Sequence, residues 1–410
     1  MKLKYKFFTM AAAALLTLGV TTSCSDDDFD PTIFDTTEYP LDRSSVTFPL
    51  DTFCIENFRI PYNLRYVYKM EDIGSDMQKN LVPASYEKSK ELAVLTKYLW
   101  YDAYVQCAGE EFLKIYSPRI IHVIGSKSYN PVSGTETLGE AEGGLKITLY
   151  GANELDVNNI ELLNENFFKT MHHEFGHILA QNYTYPTSFQ TISQGLYNPV
   201  DWQDEQDSIA LTQGFVSTYA MSQIREDWVE VLANYIVKDT ITWEGMLNTA
   251  SYDWEEVEID ASYYKRCEAL GANRDSVGYY VSDGTTSSTG SVTGYNVVRK
   301  VISRDADGNP LLDENGNMIY LQQDGVDGRD VILQKLDLVR TWLKDNFNVD
   351  LDELRREVQR REWVMDADGN FVVENGHLVN KLTAPYEEGS SQTLMDVLLD
   401  EVNKFEELQQ

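Results

Sequence analysis

The stretch "FFKTMHHEFGHILAQ", residues 167–181, is the most informative part of this 410-residue chain. It holds three of the chain's five histidines, with a glutamate between them and apolar residues on both sides. On a helix, His173 and His177 project from one face about one turn apart, so their rings can converge on a single zinc ion. Glu174 lies beside them and can take a proton from an attacking water and pass it to a leaving group. The stretch therefore predicts a helix that carries a catalytic zinc site.

Gly176 decides which histidines form the pair. One turn beyond His172 the chain has this glycine, which has no side chain, whereas one turn beyond His173 it has His177. The motif His-Glu-x-x-His therefore begins at residue 173. An ordinary surface helix that carries two histidines and a glutamate by chance remains the alternative, and a third ligand elsewhere in the chain would weaken it.

A third ligand must come from a later part of the chain, because the residues after His177, "ILAQNY", contain no further histidine. Residues 217–237, "STYAMSQIREDWVEVLANYIV", have helical spacing and offer three carboxylates. Two histidine nitrogens and one carboxylate oxygen form a known type of catalytic zinc site. Glu226 and Glu230 share one face of this helix, and Asp227 is turned away from them by about 100°, so Asp227 is expected to be dispensable for zinc. Geometry alone leaves Glu226 and Glu230 as candidates.

The spacing of a tyrosine and two glutamates resembles that of a known family. Tyr219 lies seven residues before Glu226, and Glu230 lies four residues after it. This pattern is similar to the tyrosine and Glu-x-x-x-Glu of gluzincin peptidases of the anthrax lethal factor type, which also use a HEFGH helix. The resemblance implies that Glu226 is the third ligand, that Glu230 orients a ligand histidine, and that Tyr219 donates a hydrogen bond in the transition state. Tyr219 is one of 25 tyrosines, so a packed aromatic residue is the alternative.

The N-terminus has the pattern of an export signal. A basic "MKLKYKFF" precedes an apolar "TMAAAALLTLGV", and the small residues "TTS" lead to Cys24. This arrangement resembles a bacterial lipobox, although Thr21 stands where leucine is usual, and it implies lipidation of Cys24 as the membrane anchor. The following "SDDDFD" resembles the acidic signal that sends lipoproteins of the Bacteroidota to the outer face of the outer membrane; a solvated charge run is the alternative. We expect a surface-exposed outer membrane lipoprotein.

The wider pattern resembles the zinc metallohydrolase lipoproteins of the Bacteroidota that are associated with substrate import. It comprises the lipobox, "EAEGGLKITLYG", HEFGH, "YAMSQIREDWVE" and "LDELRREV", and it extends over most of the mature chain. The resemblance implies a TonB-dependent transporter and its surface lipoprotein as partners.

Composition excludes some functions. With 34 basic and 66 acidic residues the net charge is −32, which would repel nucleic acid, so nucleic acid binding is not expected. The 42% of hydrophobic residues can form a large core. After Cys24, only Cys54, Cys107 and Cys267 remain, without the spacing of a metal site or a disulfide framework, and structural thiols or at most one bridge are expected.

The apolar spacing predicts an α+β fold. Residues 84–116 have helical spacing, and "RIIHVIGS" and "GGLKITLYG" (143–151) are typical of strands that precede the histidine-bearing helix. After residue 270, "DADGNPLLDENGN" and "DADGNFVVENG" predict two β-hairpins among helices. The family resemblance implies that the first part is a zincin-like peptidase domain with a mixed sheet.

These observations give a four-part organisation. We predict a signal peptide (1–23), a lipidated cysteine with an extended acidic tether (24–61), a zincin-like catalytic domain (62–270) and a C-terminal helical region with hairpins packed on it (271–410).

The function predicted is zinc-dependent hydrolysis of a peptide or protein substrate. An extended peptide could bind an edge strand by β-addition, and residues 145–150 are the candidate edge strand. One alternative is a non-catalytic surface lipoprotein that binds cargo for an importer and has a structural or vestigial zinc site. Another is a glycan-binding lipoprotein, which only the 7 tryptophans and 25 tyrosines favour.

Overall fold

The computed structural model describes residues 41–70, 80–129, 136–137, 139–142, 145–252, 254–258, 279–282, 295–301, 303, 305–309, 311–312, 314–316, 319 and 327–409. The chain divides into two compact units, Met1–Arg43 and Ser44–Gln410, and the second is described below. The predicted signal peptide, Cys24 and the first part of the predicted tether lie outside the described residues. Within the described part of the chain, no helix is long and apolar enough to span a membrane.

Helices dominate the described residues. The α-helices are α1 (Phe48–Cys54), α2 (Ile60–Tyr62), α3 (Tyr86–Leu95), α4 (Asp102–Ala108), α5 (Glu110–Tyr116), α6 (Ile160–Leu163), α7 (Lys169–Asn182), α8 (Thr187–Ile192), α9 (Asp207–Thr212), α10 (Ile224–Val237), α11 (Thr240–Ala250), α12 (Gly328–Phe347), α13 (Leu351–Glu362) and α14 (Leu394–Asn403). π-helical turns occupy Ile55–Arg59, Thr96–Tyr101 and Asn164–Phe168, and 3₁₀ turns occupy Ala152–Glu154, Trp202–Asp204, Tyr219–Ser222 and Lys404–Gln409.

The strands form small sheets, which makes the fold α+β. They are β1 (Arg65–Val67), β2 (Ile120–Val123), β3 (Ser128–Tyr129), β4 (Glu136–Thr137), β5 (Gly139–Glu142), β6 (Lys146–Leu149), β7 (Trp254–Glu258), β8 (Tyr279–Ser282), β9 (Tyr295–Lys300), β10 (Val373–Glu374) and β11 (His377–Leu378). The largest sheet has the order β1-β2-β6-β5, with β1, β2 and β6 parallel and β5 antiparallel to β6.

The position of β6 corrects one prediction. Residues 145–150 do contain the predicted strand, but β6 lies between β2 and β5 and is not at the edge. Its residues Ile147 and Leu149 are wholly buried. Among the described strands, β5 forms the edge on this side and is antiparallel to β6. Sequence patterns show that a segment is a strand, but its place in the sheet depends on pairing with distant segments.

The predicted histidine-bearing helix is continuous from Ile160 to Asn182. It begins where the side chain of Asn159 accepts a hydrogen bond from the Leu162 backbone N–H, passes through the π turn Asn164–Phe168 and continues as α7. This helix packs against β5, β6 and α10. Its packing positions the histidines between the sheet and α10.

Gly176 allows α7 and α10 to approach closely. A Cβ atom at this position would lie 2.9 Å from Val229 Cγ1 and 3.0 Å from Leu232 Cδ2, and both of these residues belong to α10. Contacts this short are incompatible with a side chain unless the facing side chains or the helices shift. The residue that fixed the motif's register in the sequence therefore also sets the distance between the two helices.

Residues 48–62 are helical, so the prediction of an extended tether is wrong for this part of the chain. Phe48, Phe53 and Phe58 are buried in the core. They are spaced five residues apart, and the π turn Ile55–Arg59 adds a residue to the helical turn there. The added residue displaces Phe58 from the 3.6-residue period of the preceding α-helix, so the apolar pattern does not continue through the segment.

The C-terminal helices pack on the same core as the histidine-bearing helix. α10 contacts both α12 and α13, and the buried Trp228 of α10 meets Trp342 of α12 edge to face at 5.2 Å. The second predicted hairpin is confirmed by the antiparallel pair β10 and β11. In the region of the first, the Leu311 N–H donates to the Ser303 carbonyl oxygen and the Ile319 N–H donates to the Leu311 carbonyl oxygen. Cys54 and Cys107 are free thiols, and Cys267 lies outside the described residues.

Candidate metal centre

Two histidines and a glutamate meet at the contact between α7 and α10. His173, His177 and Glu226 each place one ligand atom within 4.8 Å of the others, and they form the only such group of three among the described residues. The Nε2 atoms of both histidines lie 3.1 Å from Glu226 Oε2. The helical spacing and the approach of α10 therefore bring together the ligands that the sequence indicated.

Glu230 lies on the opposite side of the His173 ring. Its Oε1 atom accepts a hydrogen bond from His173 Nδ1 at 2.8 Å, while His173 Nε2 faces Glu226. Ser217 Oγ and Asn234 Nδ2 donate to Glu230 Oε2 at 2.6 and 3.1 Å. Glu230 thus holds the imidazole in one orientation.

The charges around Glu230 keep it ionised. Burial works to raise the pKa of this carboxyl, but the nearby Lys169 ammonium and the hydrogen bond from His173 outweigh it, and the pKa falls well below its usual range. The pKa of Glu226 is likewise low, because the hydrogen bonds to His173 and His177 overcome the effect of burial. Both carboxylates are therefore anionic at neutral pH, as a ligand and a hydrogen-bond acceptor must be.

Glu174 has a different environment from these two carboxylates. It is buried and lines a cavity next to the three donors. Burial, assisted by the negative charges of Glu226 and Glu230, raises its pKa above the usual value, against the opposing effect of the two histidines. A carboxylate whose pKa is raised toward neutrality is a better proton acceptor and donor.

Tyr219 lies beside the three candidate ligands and contacts the ring of His173. Its ring stacks on His173 with ring centroids 5.8 Å apart, and it meets Trp202 edge to face at 5.0 Å. Burial and the neighbouring charge of Glu226 raise the pKa of its phenol, so it stays protonated and can donate a hydrogen bond. The side chain is 37% exposed, which leaves it accessible from the cavity.

The cavity beside the cluster has a volume of about 440 Å³. Six elements form its walls, namely β5, the histidine-bearing helix, the 3₁₀ turn at Trp202, α9, the segment that contains Tyr219, and α10. The lining residues are Gly139, Glu165, Lys169, Thr170, His173, Glu174, Trp202, Gln203, Asp207, Ser217, Thr218, Tyr219 and Glu230. Its size suits a side chain or a short piece of peptide, and most of the lining residues have polar or charged side chains.

Sequence reasoning missed several of these residues. Lys169 lies one turn before His173 on the same helix face, and this spacing could have indicated it. Asn234 lies one turn after Glu230 on α10, so the same spacing could have indicated it. Ser217 touches Glu230 through a contact that no short motif encodes. Trp202 lies in a 3₁₀ turn and reaches the site only through tertiary packing.

Two residues near the motif lie outside the cluster. His172 is wholly buried and shares a 3.0 Å hydrogen bond with the Tyr104 hydroxyl, as the register fixed by Gly176 requires. Asp227 is turned away from the metal donors, as helix geometry predicts. It is nevertheless wholly buried and forms a 2.7 Å ion pair with Lys335 of α12, so its removal should destabilise the fold.

The donor set fits zinc. Two imidazole nitrogens and one carboxylate oxygen are typical ligands of catalytic zinc, and the hydrogen bond to Glu230 is the kind of contact that orients a zinc-bound histidine. Three protein donors leave a fourth coordination position open. Glu174 follows the donor His173 directly in the sequence and lines the adjoining cavity. These features define the site as a single-metal hydrolase centre.

Comparison with known proteins agrees with this class. The sequence model of the family described as "Putative zinc-binding metallo-peptidase" matches residues 44–352, which is most of the chain. The chain belongs to this family of zinc-binding metallopeptidases, and zinc is its cofactor.

A solved structure is similar as well. It is described as the crystal structure of a "putative zinc-binding metallo-peptidase" from Bacteroides caccae ATCC 43185. The two sequences are 32% identical, the similarity covers 77% of this chain and 93% of that chain, and the TM-score is 0.53. No match was found among curated proteins.

Proposed function

We propose that this protein is a gluzincin-type zinc peptidase with a zincin-like α+β domain and that it cleaves peptide or protein substrates. His173, His177 and Glu226 would hold the zinc. The observation that carries the proposal is that the Nε2 atoms of His173 and His177 converge at Glu226 Oε2. The Nδ1 atom of His173 is meanwhile hydrogen bonded to Glu230. A structural zinc site would not require a buried base such as Glu174 beside an open position.

Each residue around the proposed zinc site has a separate role in hydrolysis. Bound zinc supplies Lewis-acid polarisation of the scissile carbonyl and activation of the attacking water. Glu174 takes a proton from that water and passes it to the leaving nitrogen. Tyr219 donates a hydrogen bond to the carbonyl oxygen as negative charge develops on it. Glu230 keeps His173 oriented throughout.

The edge strand β5 is the proposed binding surface for the substrate backbone. Gly139 of this strand lines the cavity, and β5 pairs with β6 along its other side. An extended peptide added to β5 by backbone hydrogen bonds would pass directly over the zinc ligands. This assignment replaces residues 145–150 with residues 139–142 as the strand that a substrate would meet.

Hydrolysis can be tested separately from metal binding. We expect about one zinc per chain in the purified protein and chelator-sensitive cleavage within a peptide library. Glu174→Gln should keep its zinc and lose about 100-fold or more of the turnover, the scale of general-base contributions. His173→Ala is the matched control, because it should lose both zinc and turnover. Full turnover in Glu174→Gln would contradict the mechanism, and a zinc-loaded wild type that cleaves no peptide would favour the cargo-binding alternative.

The proposed location is the outer membrane surface, with a lipid on Cys24 as anchor and a TonB-dependent importer and its surface lipoprotein as partners. The signal-like N-terminus supports it, as does the similarity to a Bacteroides protein. Cys24→Ala should release the protein from membranes and abolish labelling by a fatty-acid analogue, because acyl chains would be the anchor. Cys107→Ala should behave as wild type. Membrane association of an unlabelled wild type would point to a partner as the anchor.

A further inference from the structure

Lys335 of α12 is a wholly buried cation that joins two other elements. Its ammonium donates to Asp227 Oδ2 at 2.7 Å and to the Gly214 carbonyl oxygen at 2.8 Å. It also lies 4.0 Å from the centre of the Phe215 ring. A buried ammonium is costly unless it is paired and hydrogen bonded, so its partners are held firmly in place.

The two partners belong to the elements that carry the metal centre. Asp227 follows Glu226 directly in the first turn of α10. Gly214 begins the segment 214–219, whose Ser217 donates to Glu230 and whose Tyr219 stacks on His173. One side chain from the C-terminal region therefore ties the turn that presents the carboxylate ligand to the segment that presents the tyrosine.

Close packing limits how far this connection can shift. Gly214 has a φ of +82°, and a Cβ atom on it would lie 2.2 Å from Val331 Cγ1, one turn before Lys335 in α12. Tyr197 adds a second donor to Asp227 Oδ2 at 2.9 Å, which fixes the orientation of that carboxylate. Segment 214–219 and α10 are thus both held against the same stretch of α12.

We propose that Lys335 is a positioning residue of the zinc centre. By fixing the first turn of α10 relative to segment 214–219, it sets the direction of the Glu226 carboxylate and the place of the Tyr219 ring. The inference rests on the proposed roles of Glu226 and Tyr219. It assigns a part of the centre to the region after residue 270, which holds no ligand of the cluster among the described residues.

The test compares two variants of adjacent residues in α12. Lys335→Met removes the ammonium and keeps an unbranched side chain, whereas Leu336→Ala opens the neighbouring wholly buried apolar core. Zinc affinity is measured by competitive chelator titration at a temperature at which both proteins are folded, and the visible spectrum of the cobalt-substituted proteins reports ligand geometry.

We expect Lys335→Met to weaken zinc binding by about 10-fold or more, the range found when a residue that orients a metal ligand is lost. The spectrum of the cobalt-substituted protein should also change. Leu336→Ala should lower the melting temperature but stay within about 2-fold of wild-type zinc affinity. Equal losses of zinc affinity in the two variants, or a wild-type affinity and spectrum in Lys335→Met, would overturn the proposal.

A double variant decides the matter if Lys335→Met alone does not fold. Asp227→Asn with Lys335→Met removes both charges, which should restore folding because no uncompensated ion stays buried. The double variant should still bind zinc about 10-fold more weakly, since the link to Gly214 is gone, and wild-type affinity would overturn the proposal. A wild type without peptidase activity would refute the proposed function and leave these zinc measurements intact.

Discussion

The two glutamates of α10 that face the histidines have different surroundings. Glu226 Oε2 lies 3.1 Å from the Nε2 atoms of both histidines, whereas Glu230 Oε1 meets Nδ1 of His173 alone. A ligand must face the ring nitrogens that converge, and an orienting carboxylate must face the other nitrogen. The geometry therefore supports the division of roles that the family resemblance implied.

Four variants should separate these roles. Glu226→Ala should lose the most zinc affinity, Glu230→Ala should lose roughly 10–100-fold, and Tyr219→Phe should keep zinc but lose turnover because only a hydroxyl is removed. Glu161→Ala, an exposed site at the start of the histidine-bearing helix, is the control and should keep its zinc affinity. Competitive chelator titration measures the series. If Glu230→Ala lost more affinity than Glu226→Ala, the two roles would have to be exchanged.

The crossing of α7 and α10 is the element-scale feature on which the centre depends. The first helix supplies both histidines and the second supplies both glutamates, so the spacing between their axes sets every ligand distance. Gly176 lies at this crossing and meets Val229 and Leu232. A change in the crossing should therefore affect stability and zinc binding together.

Gly176→Ala tests this coupling. The added methyl would lie 2.9 Å from Val229 Cγ1, so the facing side chains or the helices must shift, and overpacking of this kind typically costs about 1–3 kcal/mol. We expect a lower free energy of unfolding and weaker zinc binding. Urea denaturation and chelator titration measure the two effects.

Gly245→Ala is the matched control for this substitution. Gly245 lies within α11, and a Cβ atom there would meet nothing within 4 Å. Alanine should stabilise this helix by roughly 0.5–1 kcal/mol and leave zinc affinity unchanged. Equal zinc affinity in Gly176→Ala and wild type would show that the crossing tolerates a side chain.

Sequence reasoning succeeded where a local pattern encodes the feature. His173, Glu174 and His177 lie within one helical turn, and Gly176 fixes their register, so no knowledge of the fold was required. Asn375 and Gly376 between two apolar runs likewise predicted the β10–β11 hairpin. Both features depend on residues that are neighbours in the chain.

The remaining features depend on contacts between distant residues. The pair Asp227–Lys335 joins residues more than a hundred positions apart, and nothing in either local sequence indicates the other. The edge position of β5 depends on which strands pair. In the helical residues 48–62, the π turn Ile55–Arg59 displaces Phe58 from the period on which helix prediction relies.

At the scale of the whole molecule, a buried carboxyl of the C-terminal region lies near the first turns of the histidine-bearing helix. Glu362 of α13 is wholly buried, near Asn164 of the π turn. Burial raises its pKa to about 8, so the folded protein keeps this group neutral at pH 7. The unfolded chain, whose carboxyl has an ordinary pKa, releases the proton at much lower pH.

The stability of the protein should therefore depend on pH through Glu362. Below pH 4 both states hold the proton and the group has no effect; between about pH 4.5 and 8 only the unfolded state loses it, so stability falls by on the order of 3–5 kcal/mol. Glu362→Gln should remove this loss and be the more stable protein at pH 8. Urea denaturation of both proteins from pH 5 to 8 gives the difference at each pH.

Glu353→Gln, an exposed site on the same helix, serves as the control for the pH series. It should follow the wild-type pH profile. Parallel pH profiles for wild type and Glu362→Gln would mean that Glu362 is already ionised in the folded protein.

Because the proposed ligands lie on two helices, zinc binding should stabilise the folded protein and slow its degradation. His177 and Glu226 are separated by a long loop of chain, so an ion held by both closes that loop and favours the folded state by mass action. At a free zinc concentration 100 times the dissociation constant the gain is about 2.7 kcal/mol. Where zinc is scarce, the same chain would open more often and be degraded sooner, so the abundance of the protein would follow the supply of the metal.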